Sequence, residues 1–353
     1  MKKRAREIAH HIISLSKSAS PGTPFYIVAH ADADGIASAV ILTHVLNKFD
    51  IQPEIHFCNS TEISDQITYT AIMHGKNEKN GVWFFLDMGI SSVDRLFRIN
   101  KKIVIDHHAP KSSGLSSAQK INKNKFEQKG GDEGTVIFSP HAFGIEDENA
   151  FSAALLTYHV AKNIVGEDKI APLALLGTLG DNLNNGEFVL RDAVRDVLDI
   201  CMREHHVEIR KDLLFPGKET LPLGQLIFEM NERIHLGFDN NSILDEMCSV
   251  TKIPRSHLKK KWIDLTNKEK RGILSFIAKK LLKMGKAPDS VLDMVGDVYI
   301  SPRHEPGTHM HDYTEFAQLL NACNSMNSAL IGYELCRTQK KKHYEEILEH
   351  HLR

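Results

Sequence analysis

FYIVAHADADGIASA (residues 25–39) is an apolar run that stops at His30, Asp32 and Asp34 and passes through Gly35 into a second apolar stretch. A short run rich in β-branched and aromatic residues reads as a buried strand. Gly35 lets the backbone bend tightly into a helix expected over Gly35–Leu46, where Ile36, Val40, Ile41 and Val45 share one face. Three further stretches repeat the pattern: VWFFLDMG (82–89) with Asp87, KKIVIDHHAP (101–110) with Asp106, His107 and His108, and ALLGTLGDN (174–182) with Asp181. Ligands of an open parallel sheet bind outside the carboxyl ends of its strands. Apolar runs that all end in carboxylates or imidazoles therefore converge on one crevice. Like charges that close do not all stay ionised without a cation. Hard oxygen donors mixed with one or two imidazoles suit Mn²⁺, with Mg²⁺ as an alternative occupant, and a shared site suits two ions.

Asp32 and Asp34 lie two residues apart, so an extended turn points both carboxylates the same way. An aspartate N-cap on the following helix accounts for one of them, but not for both plus His30. Asp87, taken alone, serves as a turn former as readily as a ligand. The pair His107–His108 is the one histidine pair of four that follows a buried strand.

Outward from these runs, the chain alternates strand and helix signals. Residues 53–59 and 135–138 read as further strands, 149–165 and 170–179 as helices, the latter feeding Asp181. The Ser-, Lys- and Gly-rich stretch 109–134 reads as an exposed hairpin or loop. The alternation implies an α/β fold, a doubly wound parallel sheet, over residues 1–200 with an N-terminal helix. The charged stretch RDAVRDVLDICMREHHVEIRKD (191–212) reads as helical, with 201–212 linking the domains. Residues 213–290 look mostly helical, whereas MVGDVYIS (294–301) and ALIGYE (329–334) look strand-like. A smaller mixed α/β C-terminal domain with a helical insertion is therefore expected over 213–353.

Composition bounds the function class loosely. The chain has 353 residues, comfortable for two domains, and its 44 Lys plus Arg nearly cancel 45 Asp plus Glu. Any field that attracts phosphate must be local. Five dispersed cysteines without CxxC spacing and no signal peptide predict reduced thiols in a cytoplasm. No run approaches a membrane span.

HADADGIASA, the lone Asp87, the literal DHH at 106–108 and GDN at 180–182 resemble, in order and spacing, the four motifs of the DHH phosphoesterase superfamily. SPHAFGIEDENAFSAALLTYHVAKNI (139–164), LLFPGKETLPLGQLI (213–227), WIDLTNKEKRGI (262–273) and EFAQLLNAC (315–323) are similar to segments of its archaeal RecJ-like exonucleases. That branch includes nucleases associated with the GINS replication complex and with a repair helicase. The resemblance implies a DHH domain followed by the superfamily's smaller C-terminal domain. It implies Asp32, Asp34, Asp87, His107 and Asp181 as ligands of two metal ions, with Asp87 bridging. It sets His108 beside the scissile phosphate or the attacking water, and Asp106 is expected to orient an imidazole. Two roles stay open for His30, a ligand or a support of one. It precedes Asp32 by two residues, as in the archaeal branch, whereas other branches carry a histidine where this chain has Val28.

The superfamily's Gly-rich histidine motif for the distal phosphate is absent. NACNSMNSALIG (321–332) stands there instead, with Asn324, and the nearest cationic candidates are Arg303, His304, His309 and His311 in SPRHEPGTHMHD (301–312). An exposed loop is the competing reading for these four and is the one their setting favours. The departure leaves substrate length and cleavage polarity open.

The function expected is a metal-dependent exonuclease that releases mononucleotides from single-stranded DNA or RNA in replication or repair, a narrow cleft between domains excluding duplex. A phosphodiesterase of cyclic dinucleotides or very short oligonucleotides is the alternative, with the same metal chemistry. A replication or repair scaffold without activity is a third, which loss of ligands favours and their presence does not.

Overall fold

After the N-terminal helix α1 (Lys2–Ser18), strand β1 (Phe25–His30) is flanked by β2 (Glu54–Cys58) and β3 (Val82–Leu86), with β4 (Lys101–Ile105) and β5 (Thr135–Phe138) beyond β3. All four pairings are parallel, giving the order β2-β1-β3-β4-β5. After β2 the chain crosses β1 and builds away on the other side. The switch of direction lies between β1 and β3, where such sheets open a crevice. The structure, a computed structural model, describes residues 1–62, 81–96, 99–110, 135–147, 150–184, 192–233, 240–285, 294–325 and 327–351. The stretch expected as an exposed hairpin or loop, 109–134, lies outside them from residue 111 onward.

Alternate strand residues line opposite faces of the sheet. Tyr26, Val28, Trp83, Phe85, Val104 and Ile137 form one apolar cluster with Leu96, the last residue of the 3-10 segment Ile90–Leu96, and with Ile99 after it. Against the other face lies helix α2 (Ala33–Asn47), which packs on β1 and β3. From Ala33 to Leu46 α2 buries every residue except His44. A helix that is apolar all round needs cover on every side. Helices α3 (Ala153–Ala161) and α4 (Glu167–Asn184) supply part of it.

The rest comes from the end of the chain. Residues 1–204 with 317–353 form one compact unit, and 205–316 form a second. This departs from the expected assignment of all of 213–353 to a second domain. ALIGYE, read as strand-like, belongs to helix α10 (Ala329–Thr338), and Ala329, Gly332, Tyr333 and Cys336 are buried at the i, i+3, i+4, i+7 spacing of one helix face. That face meets α2: the Tyr333 hydroxyl donates to Thr43 Oγ1 at 3.1 Å, and a Cβ on Gly332 would come within 3.2 Å of Ile36. Alternation over six residues was too short to separate strand from helix.

The second unit holds a two-stranded antiparallel sheet, β6 (Glu208–Leu213) with β7 (Val295–Ile300). The strand over 208–213 replaces the end of the helical linker expected at 201–212. The helix before it, α5, spans Arg195–Arg203. Helices α6 (Leu223–Arg233), α7 (Asn240–Thr251) and α8 (Asn267–Lys283) enclose a core that includes Leu226, Met230, Met247, Trp262, Ile273 and Phe276.

Candidate metal centre

Parallel register brings the strand ends to one level. Ala29 pairs with Leu86, Leu86 with Ile105 and Ile105 with Phe138, so His30, Asp87 and Asp106 leave the sheet side by side. Asp87 has φ 59°, in the left-handed region, followed by Gly89 at φ 104°. The left-handed conformation costs an L-residue about 1–2 kcal/mol, and aspartate is among the residues that tolerate it. The turn aims the Asp87 carboxylate back across the sheet edge.

The first turn of α2 carries Asp32 and Asp34. Asp32 caps the helix, its Oδ1 accepting the Gly35 N–H at 3.1 Å. Its Oδ2 meanwhile faces His30 Nδ1 at 3.1 Å, so the capping role and the site role coexist in one carboxylate. The two aspartates stand at a helix N-terminus and not on an extended turn. Gly35 is required here: a Cβ would lie 2.1 Å from the His30 carbonyl oxygen. Asp34 is fully buried. Its two oxygens accept the N–H groups of Ala153 and Ala154 at 2.6 and 2.8 Å, the open N-terminus of α3 behind the Ser152 N-cap.

Asp181, which also follows an apolar run, sits in the last turn of α4, in keeping with the helix expected over 170–179 to feed it and not at a strand end. The glycines before it let α4 approach. A Cβ on Gly177 would fall 2.5 Å from Ala154 Cβ and 2.6 Å from Asp34 Oδ1, and one on Gly180 would fall 2.5 Å from Ala33 Cβ. His107 Nε2 then stands 3.2 Å from Asp87 Oδ1, 3.3 Å from Asp181 Oδ2 and 3.9 Å from Asp34 Oδ2.

Two donor groups result. His30, Asp32 and Asp87 form one, and Asp34, His107 and Asp181 the other, each with donor atoms within 4.8 Å of one another. Asp87 has an oxygen for each: Oδ2 lies 3.3 Å from His30 Nδ1 and Oδ1 faces His107. Asp87 Oδ1 and Asp181 Oδ2 are buried and receive no hydrogen bond of good geometry among the described residues. Buried carboxylate oxygens in that state fit a cation. His30 stands with the first group, where either of its expected roles is compatible with the geometry.

His108 is more exposed, its side chain 31% accessible, and its Nδ1 lies 2.7 Å from Asp106 Oδ1. Asp106 also accepts the His108 N–H at 3.1 Å and, through Oδ2, the Ile90 N–H at 2.8 Å. That ties the imidazole's orientation to the strand end. Asp87, His107 and His108 also have donor atoms within 4.8 Å of one another.

The charges perturb one another strongly. Burial alone lowers the His30 pKa, but Asp32 and Asp87 outweigh it and raise it to about 11. Burial and then the Asp87 charge push Asp34 up to about 7. Burial and then Asp34 hold Asp181 well above the carboxylate range. Burial opposes ionisation of Asp87, yet His107 and His30 outweigh it and keep its carboxyl below the usual range. Burial lowers and the Asp106 partner raises His108, with a net rise. Without a cation the cluster holds protons to relieve its own repulsion.

One contributor had no sequence expectation attached. Asn321, on the part of α9 (Tyr313–Ser325) belonging to the first unit, accepts the Ala33 N–H through Oδ1 at 2.9 Å and donates through Nδ2 to the Gly180 carbonyl at 3.1 Å. It ties the segment bearing Asp32 and Asp34 to the one bearing Asp181. His141 Nε2, in the 3-10 turn Pro140–Phe143, likewise lies 3.1 Å from the His107 carbonyl.

The four expected substrate contacts are divided between the two units. Asn324 belongs to the first unit, its carbonyl accepting the Asn327 N–H at 3.3 Å. Arg303, His309 and His311 belong to the second. Arg303 is exposed and donates through Nε to the His205 carbonyl at 3.1 Å. His309 is half-buried, and His304 Nδ1 lies 2.8 Å from Ser301 Oγ. His311 is buried with Nδ1 2.9 Å from Glu219 Oε1, beside the buried Lys218–Asp312 ion pair at 2.7 Å. Its partner there is internal.

Residues 24–178 match the DHH family, N-terminal domain. No curated protein matches the chain. Among solved structures, CDC45 from Entamoeba histolytica gives a TM-score of 0.69 at 13% identity, over 99% of this chain and 71% of that one. The DHH domain of a member of a family of ribosomal proteins gives 0.44 at 15% identity, over 86% of this chain and 66% of that one. RecJ in complex with Mn²⁺ from Thermus thermophilus gives 0.39 at 14% identity, over 80% of this chain and 38% of that one. The CDC45 likeness is one of fold. The family match spans β1 to β5 and carries every candidate ligand except Asp181, and residues 24–178 of this chain are therefore a DHH-family N-terminal domain.

Proposed function

We propose that the chain is a metal-dependent phosphodiesterase, acting as a single-strand exonuclease that releases mononucleotides from DNA or RNA. The observation that carries the metal-dependent reading is Asp87, whose two oxygens face two separate donor groups. His30, Asp32 and Asp87 would hold one divalent cation, and Asp34, His107 and Asp181, with Asp87 shared, the other. Carboxylates with one imidazole per group suit Mn²⁺ or Mg²⁺. Bound there, such cations supply Lewis acidity toward a phosphoryl oxygen and lower the pKa of water.

The chain's own residues do the rest. Asp34 is held by the α3 N-terminus and Asp181 by the packing of α4, so the donors are fixed before any substrate arrives. With Nδ1 donating to Asp106, His108 presents Nε2 outward. As an imidazolium it donates the Nε2 proton to a phosphoryl oxygen or to the departing alkoxide. A cytoplasmic setting is supported by five cysteines that are all buried and free. No described helix is long and apolar enough to cross a membrane. A role beside a replication complex or repair helicase stands with this proposal as the setting for such an activity.

End-labelled single-stranded DNA and RNA, with Mn²⁺ and with Mg²⁺, test the proposal. Stepwise mononucleotide release with duplex spared is expected. Hydrolysis confined to cyclic dinucleotides or dimers would replace it with the small-molecule alternative, and no hydrolysis of any phosphodiester would leave the scaffold role.

A further inference from the structure

Residues 252–285 carry eleven Lys and Arg against two Asp and Glu, in a chain whose charges nearly balance as a whole. The second unit sorts these charges onto two sides of α8. On one side the local acids are consumed: Asp212 pairs with Lys270 at 2.9 Å, Glu269 with His257 at 2.7 Å, Glu246 with Lys280 and Asp245 with Arg255. Ile273, Phe276, Ile277 and Leu281 of the same helix are buried in the core. On the other side Lys268, Arg271, Lys279 and Lys283 are exposed, and none has an acidic partner among the described residues. Lys259 and Lys260, just before the buried Trp262, are exposed and unpaired in the same sense.

At 100° per residue, Lys268, Arg271, Lys279 and Lys283 fall within about a third of the helix circumference, with Ser275 among them. The span from Lys268 to Lys283 is roughly 22 Å at 1.5 Å per residue. A basic run is ordinarily a solvated face broken by acids at i+3 and i+4. Here the acids are absent from the face because they pair elsewhere. The stripe displays one large apolar side chain, Leu282, too little for a helix lying in a membrane interface. A row of cations spaced by whole helical turns instead complements a row of phosphates.

We propose that this face of α8 binds the sugar–phosphate backbone of single-stranded nucleic acid. Binding is independent of base sequence, because the stripe offers charge and no aromatic side chain. The proposal rests on the phosphodiesterase reading for its choice of polyanion, but binding is measurable without catalysis.

The test uses the full chain in EDTA and a fluorescent oligothymidylate of about 20 nucleotides, titrated between about 50 and 200 mM salt. The variant combines Lys268→Gln, Arg271→Gln, Lys279→Gln and Lys283→Gln, all at exposed positions. Each lost phosphate contact flattens the plot of log K against log salt by about 0.7, so up to about 2.8 for four. Affinity at about 100 mM salt should fall at least tenfold, with the melting temperature unchanged. With Mn²⁺, hydrolysis of a dinucleotide too short to reach the stripe should be unchanged. If neither protein cuts any single strand or dinucleotide, the phosphodiesterase reading fails while the binding result still decides this proposal. An unaltered slope and affinity in the fourfold variant overturns it, as does a wild-type chain that does not bind the oligonucleotide. Loss of binding to phosphatidylserine vesicles with oligonucleotide binding intact overturns it in favour of an anionic lipid surface.

Discussion

Replacing Asn321 by alanine removes both hydrogen bonds that join the Asp32–Asp34 segment to the Asp181 helix. Each is worth about 0.5–1.5 kcal/mol net, so about 1–3 kcal/mol together. Ala33 and Gly180 are both buried, which leaves an N–H and a carbonyl without ready access to water and favours the upper half of that range. For a unit of this size a loss of that order lowers the melting temperature by several degrees. The sharper consequence concerns the cations. Ala33 lies between two donor residues and Gly180 next to a third, so freeing them loosens donors on both sides of Asp87. Loss of such supporting partners costs about 10–100-fold in metal affinity. Calorimetric titration of the apo protein with Mn²⁺ measures this, with circular dichroism as a check of folding. Asn321→Asp keeps the acceptor for Ala33 and loses the donor to Gly180, so its stability should fall between wild type and alanine. A folded Asn321→Ala protein that binds Mn²⁺ as tightly as wild type refutes the reasoning.

Asp87→Asn keeps a residue tolerant of φ 59° and removes the charge both groups share, so Mn²⁺ binding and hydrolysis should fall to background while the fold persists. His108→Ala should lower turnover about 10²–10⁴-fold with metal content retained, and loss of metal with activity would make His108 a ligand. Gly177→Ala forces a methyl against Ala154 and Asp34 and should cost about 1–3 kcal/mol of stability, read by denaturant melts. The pH dependence has a definite sign. Asp34, raised to about 7, and His30, raised to about 11, each contribute apo stability that is full below their unfolded values and lost as pH rises through the folded ones. Cations replace those protons, so the thermal stabilisation by Mn²⁺ should grow between about pH 6 and 8, and a gain that shrinks with pH contradicts the assignment.

Much of the sheet was legible because β1, β3 and β4 are buried on both faces and read as continuous apolar runs, each leading to the residue that enters the site. His30, Asp87 and Asp106 follow from that rule and from parallel register alone. Asp181 enters from a helix instead, in keeping with the helix expected over 170–179: LLGTLG is as apolar as a strand, but its glycines recur at i and i+3, the mark of a helix face pressed against a neighbour. The same helical spacing lay unread in Ala329, Gly332, Tyr333 and Cys336, where six residues of mixed pattern resembled a strand. Asn321 could not be found from periodicity, since its role depends on contacts 141 and 288 residues away in the chain. The basic face of α8 was hidden by the near-zero net charge, which averages a locally sorted surface away.

The central claim is that two cations share Asp87. Diffraction from crystals grown with Mn²⁺, collected at the manganese absorption edge, locates them directly. Two anomalous peaks about 3.5–4 Å apart are expected, one against His30 and Asp32, the other against Asp34, His107 and Asp181, with an Asp87 oxygen on each. A single peak, or peaks that leave Asp87 uncoordinated, would contradict it.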